Sequence, residues 1–161
     1  MRKSIALLLL VAACHRSSTS SPASAPALAA EPTIDAETAG LPLVARLERE
    51  ARARPTGTPS VEAVMAALER GGLALAERQQ VLASTVHAAY CTIAVTPRGA
   101  ALSVCEYAAE DSARRGLEYS HQVFDRLIPG RRLLLNRKTM LTMTGAGADE
   151  ARTASTVFSA L

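Results

Sequence analysis

Aromatic residues are scarce in this sequence: tryptophan is absent, and aromatic side chains make up 3% of the 161 residues. A chain of this length is typical of one domain with a leader or tail. Its hydrophobic content of 48% is enough for a core built from leucine, valine, alanine and methionine. The shortage of large rings leaves few of the side chains that usually anchor binding surfaces.

The chain also lacks a strong net charge of either sign, since its formal net charge is only +3. Arg2 and Lys3 supply two of those charges, so a chain that has lost its leader would carry about +1. So small a net charge does not provide the positive surface that DNA- and RNA-binding proteins use to attract phosphates. We therefore expect no nucleic-acid partner.

Long hydrophobic runs are missing too, since the longest, at residues 5–13, covers only nine residues. A membrane-spanning helix needs about 20 apolar residues, so this segment is too short to be one. A short positive start followed by a short apolar stretch is typical of a secretory signal peptide. The sequence thus predicts a signal peptide over residues 1–13.

The apolar run ends in Val11-Ala12-Ala13-Cys14: an aliphatic residue, two small residues and a cysteine. This pattern resembles the lipobox of bacterial lipoproteins, and the resemblance covers residues 1–14 only. It implies cleavage by signal peptidase II between Ala13 and Cys14, a diacylglyceryl group on the Cys14 thiol and a commonly acylated amine. The membrane would then be a partner through the N-terminal lipid, because two or three acyl chains anchor a protein stably.

Position 15 bears on which membrane holds the lipid. In Gram-negative lipoproteins an aspartate there favours retention in the inner membrane, and this chain has His15. The resemblance therefore favours the outer membrane, with the domain facing the periplasm or the cell surface. Two other interpretations are a cut by ordinary signal peptidase after residues 27–29 and an incidental Cys14.

The stretch from residue 14 to residue 40 is rich in serine, proline and alanine. Such a segment buries too little apolar surface to offset its ordering entropy, so its composition predicts a disordered linker. As a coil of about 25 residues its ends would lie roughly 25–30 Å apart. We expect a single folded domain over residues 41–161.

Hydrophobic periodicity predicts three helices at the start of this domain. The first covers 41–54, with Leu43, Val44 and Leu47 inward and Glu50 paired with Arg54. The second begins near Pro59 and ends at Gly71-Gly72, with an inward stripe at Val61, Val64, Met65 and Leu68. The third covers 76–88, with Val81, Leu82 and Thr85 inward.

Residues 90–107 have β-strand character on both sides of Pro97-Arg98-Gly99, which predicts a three-residue hairpin loop. Counting outward from that loop sets Cys91 opposite Cys105 in a closely spaced, non-hydrogen-bonded pair. A disulfide closing this loop is worth about 3 kcal/mol in the chain-entropy model. A metal or redox site that adds His87 and His121 remains an alternative, although the spacing is not that of a zinc motif.

Two β-β-α units follow from the rest of the pattern. The first hairpin precedes a helix that is capped near Asp111 and has Leu127 on its inner face, while a second hairpin turns near Asn136-Arg137. A closing helix has Asp149 as its cap, 38 residues after Asp111. The predicted fold class is α+β, with an antiparallel sheet of about four strands, helices on one face and two or three helices before it.

No catalytic motif frames the serine, histidine and aspartate residues, and we expect no cofactor. The densest charge feature consists of Arg126, Arg131, Arg132 and Arg137. These arginines are either solvated surface or a patch that binds an anionic polymer or an envelope protein.

The favoured function is therefore a lipid-anchored cell-envelope protein with a non-catalytic binding or structural role. The alternative is a metal-binding, redox or hydrolytic envelope enzyme that uses His87, Cys91, Cys105 and His121.

Overall fold

The computed structural model of the chain describes residues 38, 40–55 and 59–161. The predicted signal peptide, Cys14 and nearly all of the predicted linker lie outside the described residues. Four α-helices, one 3-10 helix and a five-stranded antiparallel sheet make up the described part. The predicted α+β class is confirmed, with one strand more than expected.

The strand order in the sheet is β1-β2-β3-β5-β4. Both expected β-β-α units are present, and they meet where β3 pairs with β5. The elements in chain order are α1 (Leu43–Arg52), α2 (Val61–Arg70), β1 (Ala76–Val81), the 3-10 helix (Ala83–Val86), β2 (Tyr90–Val95), β3 (Ala101–Glu106), α3 (Glu110–Phe124), β4 (Arg132–Asn136), β5 (Thr139–Thr144) and α4 (Ala148–Ser159). No helix in the described ranges has the length and apolarity needed to cross a bilayer.

The prediction of a third helix over residues 76–88 is wrong. Its first half is the edge strand β1, which pairs with β2, and its second half is the 3-10 helix. Glu77 adopts a left-handed backbone (φ 52°) beside an irregular step in the β1–β2 register. A bulged, polar strand of this kind is how sheets commonly protect an edge. Thr85, expected to face inward, is exposed.

Helices cover both faces of the sheet, whereas we expected them on one. Successive strand residues point to opposite faces, so Val104 and Cys105 lie in two different hydrophobic cores. On the face that we call the closed face, α2 and α4 pack on each other and on the sheet. The buried core residues of the closed face are Val61, Val64, Met65, Leu68, Leu73, Ala94, Ala100, Leu102, Val104, Leu141, Met143, Ala151, Ala154 and Phe158.

The opposite face, which we call the groove face, has a smaller core under α3 and the 3-10 helix. Tyr107 is its largest buried side chain, and its hydroxyl donates to Val86 O at 3.2 Å. Gly116 makes room for this ring, since a Cβ there would lie 2.4 Å from it. The buried core residues of the groove face are Ala83, Ala88, Cys91, Cys105, Tyr107, Ala113 and Met140.

Helix α1 docks through polar groups, and its predicted apolar side is wrong. Leu43 and Val44 are exposed, and no residue of α1 is buried. Instead, the Glu50 carboxylate accepts hydrogen bonds from Ala83 N at 2.9 Å and Ser84 N at 3.1 Å. The predicted ion pair between Glu50 and Arg54 is also wrong, because Glu50 bonds the 3-10 helix and Arg54 bonds Glu106.

The other helices follow their patterns more closely. The predicted inward stripe of α2 is buried, and Ser60 caps its start by accepting from Ala63 N at 3.2 Å. The cap of α3 is Ala109, close to Asp111 as expected, and Asp111 is the second residue of the helix. The predicted Asp149 cap is wrong, because Gly147 caps α4 and Asp149 is its second residue. Leu127 lies beyond the end of α3 and is 70% exposed, so its predicted inward position is wrong.

Candidate functional site

The first hairpin has the register predicted for its cysteines. Thr96 N donates to Ala100 O at 2.8 Å and closes the loop, where Gly99 takes the left-handed conformation (φ 83°). The pairing then runs outward residue by residue and sets Cys91 opposite Cys105. Their Sγ atoms lie 2.05 Å apart, at disulfide-bonding distance, with the Cα atoms 4.1 Å apart.

A half-open groove of about 180 Å³ lies directly over this disulfide. The floor of the groove is β-sheet. One wall is the segment from the end of β1 through the 3-10 helix, and the other is the end of α3 with the residues that follow it, up to Arg131. The residues that line the groove include Val81, Val86, Phe124, Ile128, Met140 and Thr142.

Arg131 is the charged residue of this lining, and its side chain is only 6% exposed. Its Nη2 donates to Ser120 O at 2.8 Å and to Asp125 Oδ1 at 3.2 Å. The guanidinium carbon lies 5.3 Å from the centroid of the Phe124 ring. The Nε atom is buried and has no hydrogen-bond partner. The site therefore combines an apolar lining with one arginine, whose guanidinium is largely buried and paired with Asp125.

Asp125 connects Arg131 to a histidine on the surface of α3. His121 Nδ1 lies 2.8 Å from Asp125 Oδ2, and both side chains are about half exposed. The hydrogen bond with His121, and after it the one from Arg131, hold the pKa of the Asp125 carboxyl below its usual value. His121 therefore lies at the surface of α3, with about half of its side chain exposed.

The four arginines of the predicted anionic-partner patch do not form one surface. Arg131 is buried, whereas Arg126 is exposed. Arg132 and Arg137 are separated by the length of β4, roughly 16 Å for five residues of strand. Arg132 and Arg137 are therefore close in sequence and far apart in space, because a strand separates its ends more widely than a helix of the same number of residues.

The residues of the alternative metal or redox site are also not assembled. Cys91 and Cys105 are bonded to each other, so neither offers a thiolate. His87 has a left-handed backbone (φ 56°) and packs edge-on against the Tyr119 ring at 4.3 Å. Among the described residues, no three histidine, cysteine, aspartate or glutamate side chains are placed to hold a metal ion.

A buried carboxylate that the sequence analysis missed is Glu106, at the end of β3. It is 1% exposed and accepts from Arg54 Nε at 2.6 Å, Arg54 Nη2 at 2.8 Å and Val61 N at 2.7 Å. Arg54 also bonds Glu62, and that guanidinium holds the pKa of the Glu62 carboxyl below its usual value. The strand alternation that places Leu102 and Val104 inward could have identified Glu106.

The Glu106 cluster is structural. All its charges are paired within the protein, and the Val61 bond ties the start of α2 to the sheet. The groove face is different, because it leaves an open cavity lined by apolar residues and Arg131. Comparison of the chain with protein-family models, curated proteins and solved structures finds no match. The groove is the candidate functional site on its geometry alone.

Proposed function

We propose that this chain is a lipid-anchored cell-envelope protein whose α+β domain has a non-catalytic binding role. The observation that carries the proposal is the way the three cysteines divide. Cys91 and Cys105 pair with each other, and such bonds persist in exported proteins. Cys14 is then left without a partner of its own kind, which is unusual in an exported protein unless its thiol is modified.

The lipobox resemblance supplies that modification. A diacylglyceryl group on the Cys14 thiol removes the free thiol and accounts for its position at the end of the apolar run. We place the lipid in the outer membrane, because His15 stands where an aspartate would favour the inner one. The binding role is supported by the groove, which has a largely apolar lining that includes Arg131.

Replacement of Cys14 tests the anchor. A Cys14→Ala variant should stay uncleaved, carry no lipid and leave the outer-membrane fraction, because the acyl chains are its only proposed attachment. Intact mass and sucrose-gradient fractionation of the wild type should show a chain that begins at residue 14 and carries the lipid. The matched control is the Cys91→Ala/Cys105→Ala double variant, which should keep its lipid.

Two results would contradict this proposal. If Cys14→Ala is processed like the wild type and stays in the outer-membrane fraction, Cys14 is not the anchor. If thiol blocking under denaturing conditions finds Cys91 and Cys105 free in the exported protein, the division of the cysteines fails. The metal or redox alternative would then become the better hypothesis.

A further inference from the structure

The two edges of the sheet are built differently. At the β1 edge, Glu77 has a left-handed backbone, the register with β2 shifts beside it, and exposed charges stand at Glu77 and Arg78. The β4 edge, Arg132–Asn136, pairs with β5 residue by residue and has only leucines between its ends. Bulges and charges keep an edge from pairing with another strand. The β4 edge is therefore the one that is open to strand pairing.

The hydrogen-bond pattern of β4 shows which backbone groups face this open edge. A two-residue turn joins β4 to β5, and the residues that flank such a turn form the first hydrogen-bonded pair, here Asn136 with Thr139. Hydrogen-bonded and non-hydrogen-bonded pairs then alternate. Leu134 therefore bonds β5, whereas Leu133 and Leu135 turn their N–H and C=O groups outward. No backbone hydrogen bond between described residues occupies these outward groups.

The sequence of β4, Arg-Leu-Leu-Leu-Asn, is complementary to a second copy of itself in the antiparallel direction. When Leu134 lies opposite Leu134 of the second copy, Leu133 lies opposite Leu135 in a hydrogen-bonded pair, and the two-fold axis repeats that pair. The outward backbone groups of both copies are then all bonded. Moving the axis by one residue would leave an outward-facing leucine in each copy opposite a residue beyond the end of the strand.

The side chains also match in this register. Leu133 and Leu135 pack on the groove-face core and Leu134 packs on the closed-face core, so the pairing would extend both cores across the interface. Arg132 is exposed and would face Asn136 of the second copy. The Nδ2 atom of Asn136 donates to a carbonyl of α4, so its Oδ1 remains to accept from that guanidinium. No like charges lie opposite each other.

We propose that the β4 edge is a homodimer interface, in which two copies of this chain pair antiparallel through β4 about a two-fold axis at Leu134. The two sheets then form one continuous sheet, and the pairing stops at two copies because it uses the same edge of both. One strand pair buries less surface than a permanent dimer needs, so the dimer depends on concentration. The inference goes beyond the proposed binding role and does not require the groove to be occupied.

Cysteine crosslinking of the full chain in isolated membranes tests the position of the axis. Leu134→Cys should give a disulfide-linked dimer under mild oxidation, because a non-hydrogen-bonded pair holds its Cα atoms about 4.5 Å apart, within disulfide range. Mass spectrometry of the linked peptides should locate the bond at position 134. Arg132→Cys is the matched control on the same strand, since the two copies of position 132 would lie roughly 14 Å apart. Gln79→Cys is the control on the β1 edge, and neither control should crosslink.

A proline tests the hydrogen bonds of the interface. Leu133→Pro removes an N–H that faces the open edge and leaves the β4–β5 ladder intact. Leu133→Ala is the matched control, because it removes the same leucine and keeps the N–H. In sedimentation equilibrium of the purified full chain in detergent, the wild type should reach the mass of two chains as its concentration rises. Leu133→Pro should dimerise about tenfold more weakly than Leu133→Ala, because each dimer loses two hydrogen bonds.

The inference is overturned if the wild type sediments as a monomer at every concentration, or if Leu134→Cys crosslinks no more than either control. It is also overturned if Leu133→Pro dimerises as tightly as Leu133→Ala. Circular dichroism checks that both variants fold, and the crosslinking test remains decisive if the proline variant does not. A linked bond at Cys14 would contradict the proposed lipid anchor and leave the dimer interface standing.

Discussion

The two faces of the sheet use the same strands and are covered in different ways. On the closed face, α2 and α4 lie side by side, and the core beneath them extends from Val61 to Phe158. On the groove face a single long helix, α3, shares the cover with one short 3-10 helix. The core there is smaller, and a disulfide lies within it.

This difference shows that one sheet can have a fully covered face and a face that leaves a groove open. The closed face excludes water, so its contribution comes from apolar burial. The groove face leaves part of the sheet uncovered, and a covalent bond between β2 and β3 holds the floor in place. An open groove costs apolar contacts, and the disulfide offsets that loss by restricting the unfolded chain.

The two phenylalanines of the chain give the largest expected effect. Phe158→Ala on the closed face should lower the free energy of unfolding by about 3–5 kcal/mol, because it leaves a cavity in a fully buried site. Phe124→Ala is the matched substitution on the groove face, where the ring is partly exposed. Its loss should be smaller, since water already reaches the site. Urea denaturation of both variants measures the difference, and equal losses would contradict the distinction between the faces.

Removal of the disulfide tests the groove face directly. The Cys91→Ala/Cys105→Ala variant should lose about 3 kcal/mol of unfolding free energy, the value for a loop of about 15 residues. Thermal or urea unfolding with and without reductant measures it. The reductant should destabilise the wild type by a similar amount and leave the double variant unchanged. A wild type that resists reductant and a double variant that keeps full stability would show that the bond does not support this face.

The smallest expected effect is a titration at the rim of the groove. In the folded protein the pKa of Asp125 lies below its ordinary value of 3.8. This carboxylate therefore stabilises the fold above that pH, and its contribution is lost as the pH falls through the lowered pKa. His121→Ala should raise the pKa of Asp125 toward its ordinary value, as measured by carbon-13 NMR of the carboxyl group. His87→Ala should leave it unchanged, and an equal shift in both variants would contradict the assignment to His121.

The hairpin with the cysteines could be predicted because its geometry is local. The Pro97-Arg98-Gly99 loop sets the first pair of residues, and strand alternation sets each later one. The inward stripe of α2 could be predicted for the same reason, since a helix repeats every 3.6 residues. The docking of α1 could not be predicted, because Glu50 bonds a backbone segment more than 30 residues away.

Only part of the candidate site could be predicted from the sequence. Cys91 and Cys105 were placed correctly, whereas Arg131 was grouped with neighbours from which the fold separates it. The burial of Arg131 depends on Ser120 and Asp125, which face it only after the chain has turned beyond α3. No periodic pattern of apolar residues in the sequence predicts such a turn.

The sequence by itself determined the α+β class, the register of the cysteine hairpin and the two β-β-α units. Each depends on turn chemistry or on a short repeat of apolar residues, which act between near neighbours in the chain. Only the tertiary structure decided that 76–81 is a strand, that helices cover both faces and that a groove stays open over the disulfide. These features depend on hydrogen bonds and packing between segments far apart in the chain, so they exist only once the sheet has formed.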